Sequence, residues 1–170
     1  AEEQAESAHE AYKAGASLVH IHARDPNNLA QPTSDPNAYR KINGLIREKC
    51  PEIIINNTTG GSPGMPMEER IKCTDANPEL ASLNCGPFMF DFKLQARKPP
   101  LSGRPEDTRV RLCMPVTYDE TEYYAKTMKE KGIKPELEVY NEGQMWVVNN
   151  LIRKGLLDPP YIIQFVMGFI

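Results

Sequence analysis

The chain has 170 residues, 40% of them hydrophobic and 25% charged, with a net charge of −3. That composition and length suit one soluble domain, and the mild acidity argues against nucleic acid or an anionic membrane as partner. No apolar run approaches the roughly 20 residues of a membrane helix, and no basic-then-apolar signal opens the chain. Cys50, Cys73, Cys85 and Cys113 are scattered without C-x-x-C spacing, so reduced thiols in a cytoplasmic protein are expected.

In chain order, residues 2–14 read as a helix with Ala5, Ala8 and Ala11 on one side and Gly15 as its stop. Within "GASLVHIHARD", residues 17–23 read as a buried strand. The segment "QPTSDPNAYRKINGLIREKC" carries a turn, a Ser34 or Asp35 cap, and a helix whose Tyr39, Ile42, Leu45 and Ile46 keep helical spacing. "EIIINNTTGG" is a second buried strand running into a glycine turn, "MPMEERIKCTD" a short helix and "ELASLNCG" a third strand. The stretch "KLQARKPPLSGRPEDTRVR" reads as a solvated basic loop, or more sharply as a binding segment for a polyanionic cofactor through Lys93, Arg97, Lys98, Arg104, Arg109 and Arg111. Beyond it, "DETEYYAKTMKEKG" is a helix, "KPELEVYNEG" a strand, "QMWVVNNLIRKGLL" a helix ending at Gly155, and "PYIIQFVMG" a strand. Trp146, Met145, Val147 and Val148 look like helix packing, and His9 like a surface residue.

Five short apolar strands, each preceded by a helix and with no hairpin signals, predict parallel β/α units. An open doubly wound sheet and a closed barrel both fit the alternation. Polar or glycine-rich residues at nearly every strand end favour the barrel, whose chemistry comes from the C-terminal ends of many strands. The expected fold is therefore a (β/α)8 TIM barrel, present as one incomplete domain over residues 1–170 with about five of eight strands. The chain starts inside a helical pattern and stops just past an apolar strand, so both ends read as cut.

Residues i and i+2 of a strand share a face about 6.6 Å apart, so His20 and His22 aim together and can converge on one ion. One such histidine would be an ordinary core residue; two, followed by Arg24 and Asp25, point to a metal such as zinc, with a third ligand elsewhere. In "NNTTGG", Thr58 and Thr59 offer hydroxyls, while Gly60 and Gly61 allow close backbone approach to a carboxylate. Ser82 and Asn84 share a strand face where either can bond a substrate or satisfy backbone. Glu136, Glu138 and Tyr140 share another; Glu136 is expected at a solvated strand start or beside a lysine, and Glu138 is the candidate for substrate contact or proton transfer.

Taken together and in order, "AGASLVHIHARDP", "NTTGG", "PELASLNCG", "KPELEVYNEG" and "YIIQFVMG" resemble the β-keto acid cleavage enzymes. The resemblance implies a TIM barrel, a catalytic zinc, and Claisen-type acyl exchange of a β-keto acid with acetyl-CoA, giving acetoacetate and a new acyl-CoA. It implies a homotetramer with small-molecule substrates. It places the metal pair on His20 and His22, the keto acid on Thr58, Gly61 and Ser82, and the active-site glutamate on Glu138. It also implies a first strand before Ala1, and a third metal ligand, a catalytic aspartate and an arginine beyond Ile170. Asn141 stands where the family has an aspartate, and the connection between residues 86 and 118 is longer than the family's. This chain then reads as an internal fragment, inactive and poorly soluble alone. The rival readings are a metal-dependent aldolase without coenzyme A on the same barrel, and a non-catalytic product, either a truncated chain without activity or a binding protein that kept the barrel.

Overall fold

The computed structural model describes residues 1–62, 64–97, 99 and 104–168, so Lys98 lies outside the described residues. Helix α1 (Glu2–Lys13) leads to β1 (Leu18–Ile21), and a small hairpin follows from β2 (Arg24–Asp25) and β3 (Asn28–Pro32). Helix α2 (Pro36–Lys49) precedes β4 (Ile54–Asn57); α3 (Met67–Arg70) and a 3-10 turn (Ile71–Ala76) precede β5 (Leu80–Asn84). A long hairpin, β6 (Phe88–Leu94) and β7 (Thr108–Met114), comes next. The chain continues through α4 (Tyr118–Glu130), β8 (Lys134–Val139), α5 (Gln144–Arg153) and β9 (Ile162–Phe165).

Strands β1, β4, β5, β8 and β9 form one sheet in that spatial order, all pairs parallel. This is a half barrel, and it bears out five strands each fed by a helix. Local chemistry sets the helix starts. Asp35 caps α2 by accepting from Asn37 N–H at 2.9 Å, with Pro36 at the first turn. Thr117 caps α4 by accepting from Glu120 N–H at 3.2 Å.

Because side chains alternate along each strand, the sheet has two different faces. The helix-side core holds Ala81, Leu83, Leu137 and Val139 against Tyr124, Met128, Val148 and Leu151, all buried. A second cluster joins Ile21 and Ile55 to Ala5, Ala8, Tyr39, Ile42 and Ile46 of α1 and α2. The opposite face carries His20, Asn56, Ser82, Asn84, Glu136, Glu138 and Gln164, in paired registers such as Asn84 with Glu138 and Glu138 with Gln164.

Four expectations change. The basic segment is flanked by a hairpin that takes in its ends, residues 93–94 and 108–111: Phe88 pairs with Met114 and Leu94 with Thr108 in an antiparallel ladder. Its signal was period-two alternation. Phe88, Phe90, Phe92, Val110, Leu112 and Met114 lie on one side, with Asp91, Lys93, Arg109 and Arg111 on the other. Asp91 accepts from Arg109 at 2.6 and 2.8 Å and from Arg111 at 3.1 Å, so these arginines have a partner within the hairpin. The β2–β3 hairpin forms at an Asx turn, with Asn27 N–H donating to Asp25 at 2.8 Å. Trp146 does not pack on the sheet; it is 60% exposed and meets Tyr118 edge-on at 6.0 Å. His9 is half-buried, with Nδ1 3.7 Å from the Cys50 thiol. The described cysteines are free thiols, and burial pushes Cys73 and Cys85 up to about 12.

Candidate active site

The parallel strands aim their C-terminal ends at one cavity of about 360 Å³. His20, His22, Thr58, Gly61 and Glu138 all line it, as do Asn84, Gln164 and Tyr140. Residues spaced from 20 to 164 in sequence meet there because every second residue of each strand faces the same way.

At its floor, ligand atoms of His20, Glu136 and Glu138 lie within 4.8 Å of one another. The His22 ring centroid is 4.9 Å from that of His20. His20 Nδ1 sits 3.5 Å from Glu136 Oε2, and the Asn56 amide also donates to that oxygen. Glu136 is buried, 7% exposed, and its partners are therefore an imidazole and an amide rather than solvent or a lysine. Burial alone would raise its carboxyl; the bonds from His20 and Asn56 outweigh that and hold it below the usual range. Glu138 moves the other way. Burial raises it, the neighbouring Glu136 charge adds to the rise, and His20 and the Tyr140 hydroxyl, donating at 3.1 Å, oppose it. Desolvation pushes His22 down to about 4, with the charges of His20 and Arg24 adding, so its imidazole is neutral near pH 7.

This donor set fits a divalent ion. One imidazole and two carboxylates converge, with the His22 ring beside His20, and neutral imidazole with carboxylate is a zinc-type combination. A carboxylate on Nδ1 also fixes the tautomer that leaves Nε2 for an ion, the usual arrangement around metal-bound histidine. Sequence reasoning missed Glu136 in this role; its signal was a second glutamate at i−2 from Glu138 on the same strand face.

The turn after β4 is held from below. Thr59 N–H donates to Ser82 Oγ at 3.0 Å and Thr59 Oγ1 to the Ser82 carbonyl at 2.8 Å. Ser82 is 2% exposed, so its hydroxyl knits β5 to the turn behind the cavity lining. Thr58 Oγ1 accepts from Gly60 N–H at 3.0 Å. Gly61 has φ +60°, and a Cβ there would fall 2.7 Å from Arg70 Cγ and 2.9 Å from Met65 Sδ. Glycine is thus required by both backbone and neighbour. Arg70 in turn is buried, ion-paired with Glu120, and its guanidinium lies 5.7 Å from the Tyr124 ring centroid. Asn84 is 8% exposed, and its buried Oδ1 finds no partner among the described residues.

A profile of the beta-keto acid cleavage enzyme family matches residues 1–170. The chain belongs to that family. It is 35% identical over 167 residues to a 3-keto-5-aminohexanoate cleavage enzyme of Fusobacterium nucleatum, covering 98% of this chain and 54% of that protein. It is 31% identical to a 3,5-dioxohexanoate:acetyl-CoA acetone transferase of Paraburkholderia graminis, covering 94% and 53%. The family member described here therefore spans about half the length of the curated relatives it matches. Among solved structures, ObcA in a ternary complex with a C4-CoA adduct and oxalate superposes with a TM-score of 0.71. At 21% identity, covering 97% of this chain and 36% of that one, it shows the shared fold.

Proposed function

We propose that the whole protein containing this chain is a zinc-dependent β-keto acid cleavage enzyme that exchanges acyl groups between a β-keto acid and acetyl-CoA. Acetoacetate and a new acyl-CoA are the products. The convergence of His20, Glu136 and Glu138 beside the His22 ring at one strand-end cavity carries this reading. The name of one relative, a 3,5-dioxohexanoate:acetyl-CoA acetone transferase, supports acetyl-CoA as the co-substrate.

His20 and His22 would hold the ion, with Glu136 fixing the His20 ring from Nδ1. When bound there, such an ion polarises the keto oxygen as a Lewis acid. Thr58 Oγ1 spends a lone pair on Gly60 N–H and keeps its own O–H for an oxygen of the substrate carboxylate. Gly61 lets the chain pass close to that carboxylate, and Ser82 holds the turn at the required height. Asn84 brings an unpaired amide oxygen and its NH2 donors to the substrate. Glu138, hydrogen-bonded by Tyr140, holds or moves a proton at its carboxylate oxygens as the carbon–carbon bond is remade.

The test is to incubate the whole protein with labelled acetyl-CoA and a β-keto acid. Label in acetoacetate, appearing together with a new acyl-CoA, is expected. Cleavage that proceeds equally without coenzyme A would make the protein an aldolase-type lyase instead.

A further inference from the structure

The cavity has two chemically distinct walls. Its polar side carries the histidines, Glu138, Asn84 and the Thr58–Gly61 turn; its other side is Phe88, Phe90, Met114, Tyr140 and Val166. Three of those five come from the apolar face of the β6–β7 hairpin. Phe88 lies flat on the Tyr140 ring at 3.8 Å with 4° between planes, and Phe90 meets Phe88 edge-on at 5.0 Å. Phe88, Met114 and Val116 are buried, with Phe90, Leu112 and Tyr140 packed on them, so the wall is a formed surface. Tyr140 follows Glu138 by two residues, just past the end of β8 at Val139. Its hydroxyl donates to Glu138 and ties the two walls together. Among the described residues, no lysine or arginine lines this cavity.

We propose that this aromatic wall is the specificity-determining surface for the acyl side chain of the β-keto acid, and that it selects uncharged, apolar chains. The inference rests on the function proposed above and adds the class of substrate. An apolar chain leaving the keto group upward exchanges water for the Phe90 and Met114 surface, a gain of about fourfold per methylene. A second carboxylate at the chain end would lose hydration and meet no cation from this wall. An ammonium would find no acceptor on this wall beyond the Tyr140 hydroxyl; among the described residues its acceptors, Glu138 and the Asn84 amide oxygen, lie on the polar side.

The pantetheine arm of acetyl-CoA is the other apolar occupant such a wall could take, and the experiment separates the two. In the whole protein, kcat/KM is measured for 3-oxopentanoate, 3-oxohexanoate, 3-oxooctanoate and a dicarboxylic 3-oxo acid, for wild type, Phe90→Ala and Phe90→Leu. The wild type should gain about fourfold per added methylene and turn over the dicarboxylic acid worst. Phe90→Ala should cut the advantage of 3-oxooctanoate over 3-oxopentanoate by about tenfold, through KM, and Phe90→Leu should restore most of it. KM for acetyl-CoA should stay unchanged. A chain-length ratio that Phe90→Ala leaves intact, a rise confined to KM for acetyl-CoA, or a wild-type preference for the dicarboxylic acid would each overturn the proposal. If Phe90→Ala does not fold, the wild-type series and Phe90→Leu still decide it. No turnover of any β-keto acid by wild type would instead strike the proposed function itself, and this inference with it.

Discussion

Alternate residues of the same strands build two surfaces with opposite chemistry. Leu83 and Leu137 point to the helices and are 0% and 1% exposed among hydrocarbon; of their immediate neighbours, Asn84 and Glu138 line the cavity and Glu136 lies beside His20 and Glu138, all carrying amide or carboxylate groups. One face holds the fold together, and the other keeps polar groups in place at a cost in burial. Function here is therefore separable from stability along a single strand, one residue at a time. Substitutions on the two faces of the whole protein should fail in different ways.

On the cavity face, Glu138→Gln keeps the shape and the Tyr140 contact but removes the carboxylate. Turnover should fall by about 10²–10⁴-fold, with little change in the thermal midpoint. Retained kcat would remove Glu138 from proton transfer.

Between the faces sits the buried Arg70–Glu120 pair, whose side chains are 7% and 8% exposed. Glu120→Ala strands the Arg70 cation against Gly61 and should cost about 3–5 kcal/mol of stability in denaturant unfolding. A loss below about 1 kcal/mol would mean that Arg70 finds water readily and that the turn does not depend on the pair.

On the helix face, Leu83→Ala opens a cavity among Tyr124, Met128 and Val148 and should cost about 2–5 kcal/mol, while KM of the folded enzyme stays unchanged. A large KM effect would show that the faces are coupled.

The smallest effect concerns acid. Burial alone would raise Glu79, but the Ile55 N–H, donating at 2.9 Å, and the Arg47 ion pair hold it below its ordinary value of 4.5. A depressed folded pKa stabilises the protein above about pH 4.5, and the contribution fades as pH falls through the folded value. The stability gap between wild type and Glu79→Gln should accordingly narrow from about pH 6 to about pH 3. A constant gap would mean that Glu79 titrates alike in both states.

The parallel strands were readable because Ile53–Ile55, Leu80–Leu83 and Ile162–Phe165 are short, mostly apolar runs, each after a helical segment. The cavity residues His20, His22 and Glu138 were readable from the i, i+2 rule, and Thr58 and Gly61 from the glycine turn that ends "NNTTGG"; neither signal needs knowledge of neighbours. Ser82 shows the limit of that rule: it faces inward by period, yet its hydroxyl is taken by Thr59 N–H, a contact 23 residues distant in sequence. Glu136 failed for the same reason, since its partners Asn56 and His20 lie on other strands. The β6–β7 hairpin was hidden by its prolines and charges, although its alternation from Phe88 to Leu94 was present all along.

The metal ion proposed at His20 and His22 is tested by elemental analysis of the whole protein, wild type against His20→Ala/His22→Ala, with circular dichroism to confirm folding. About one zinc per chain in wild type and a near-empty, folded variant is the predicted result. Equal zinc in both would contradict it.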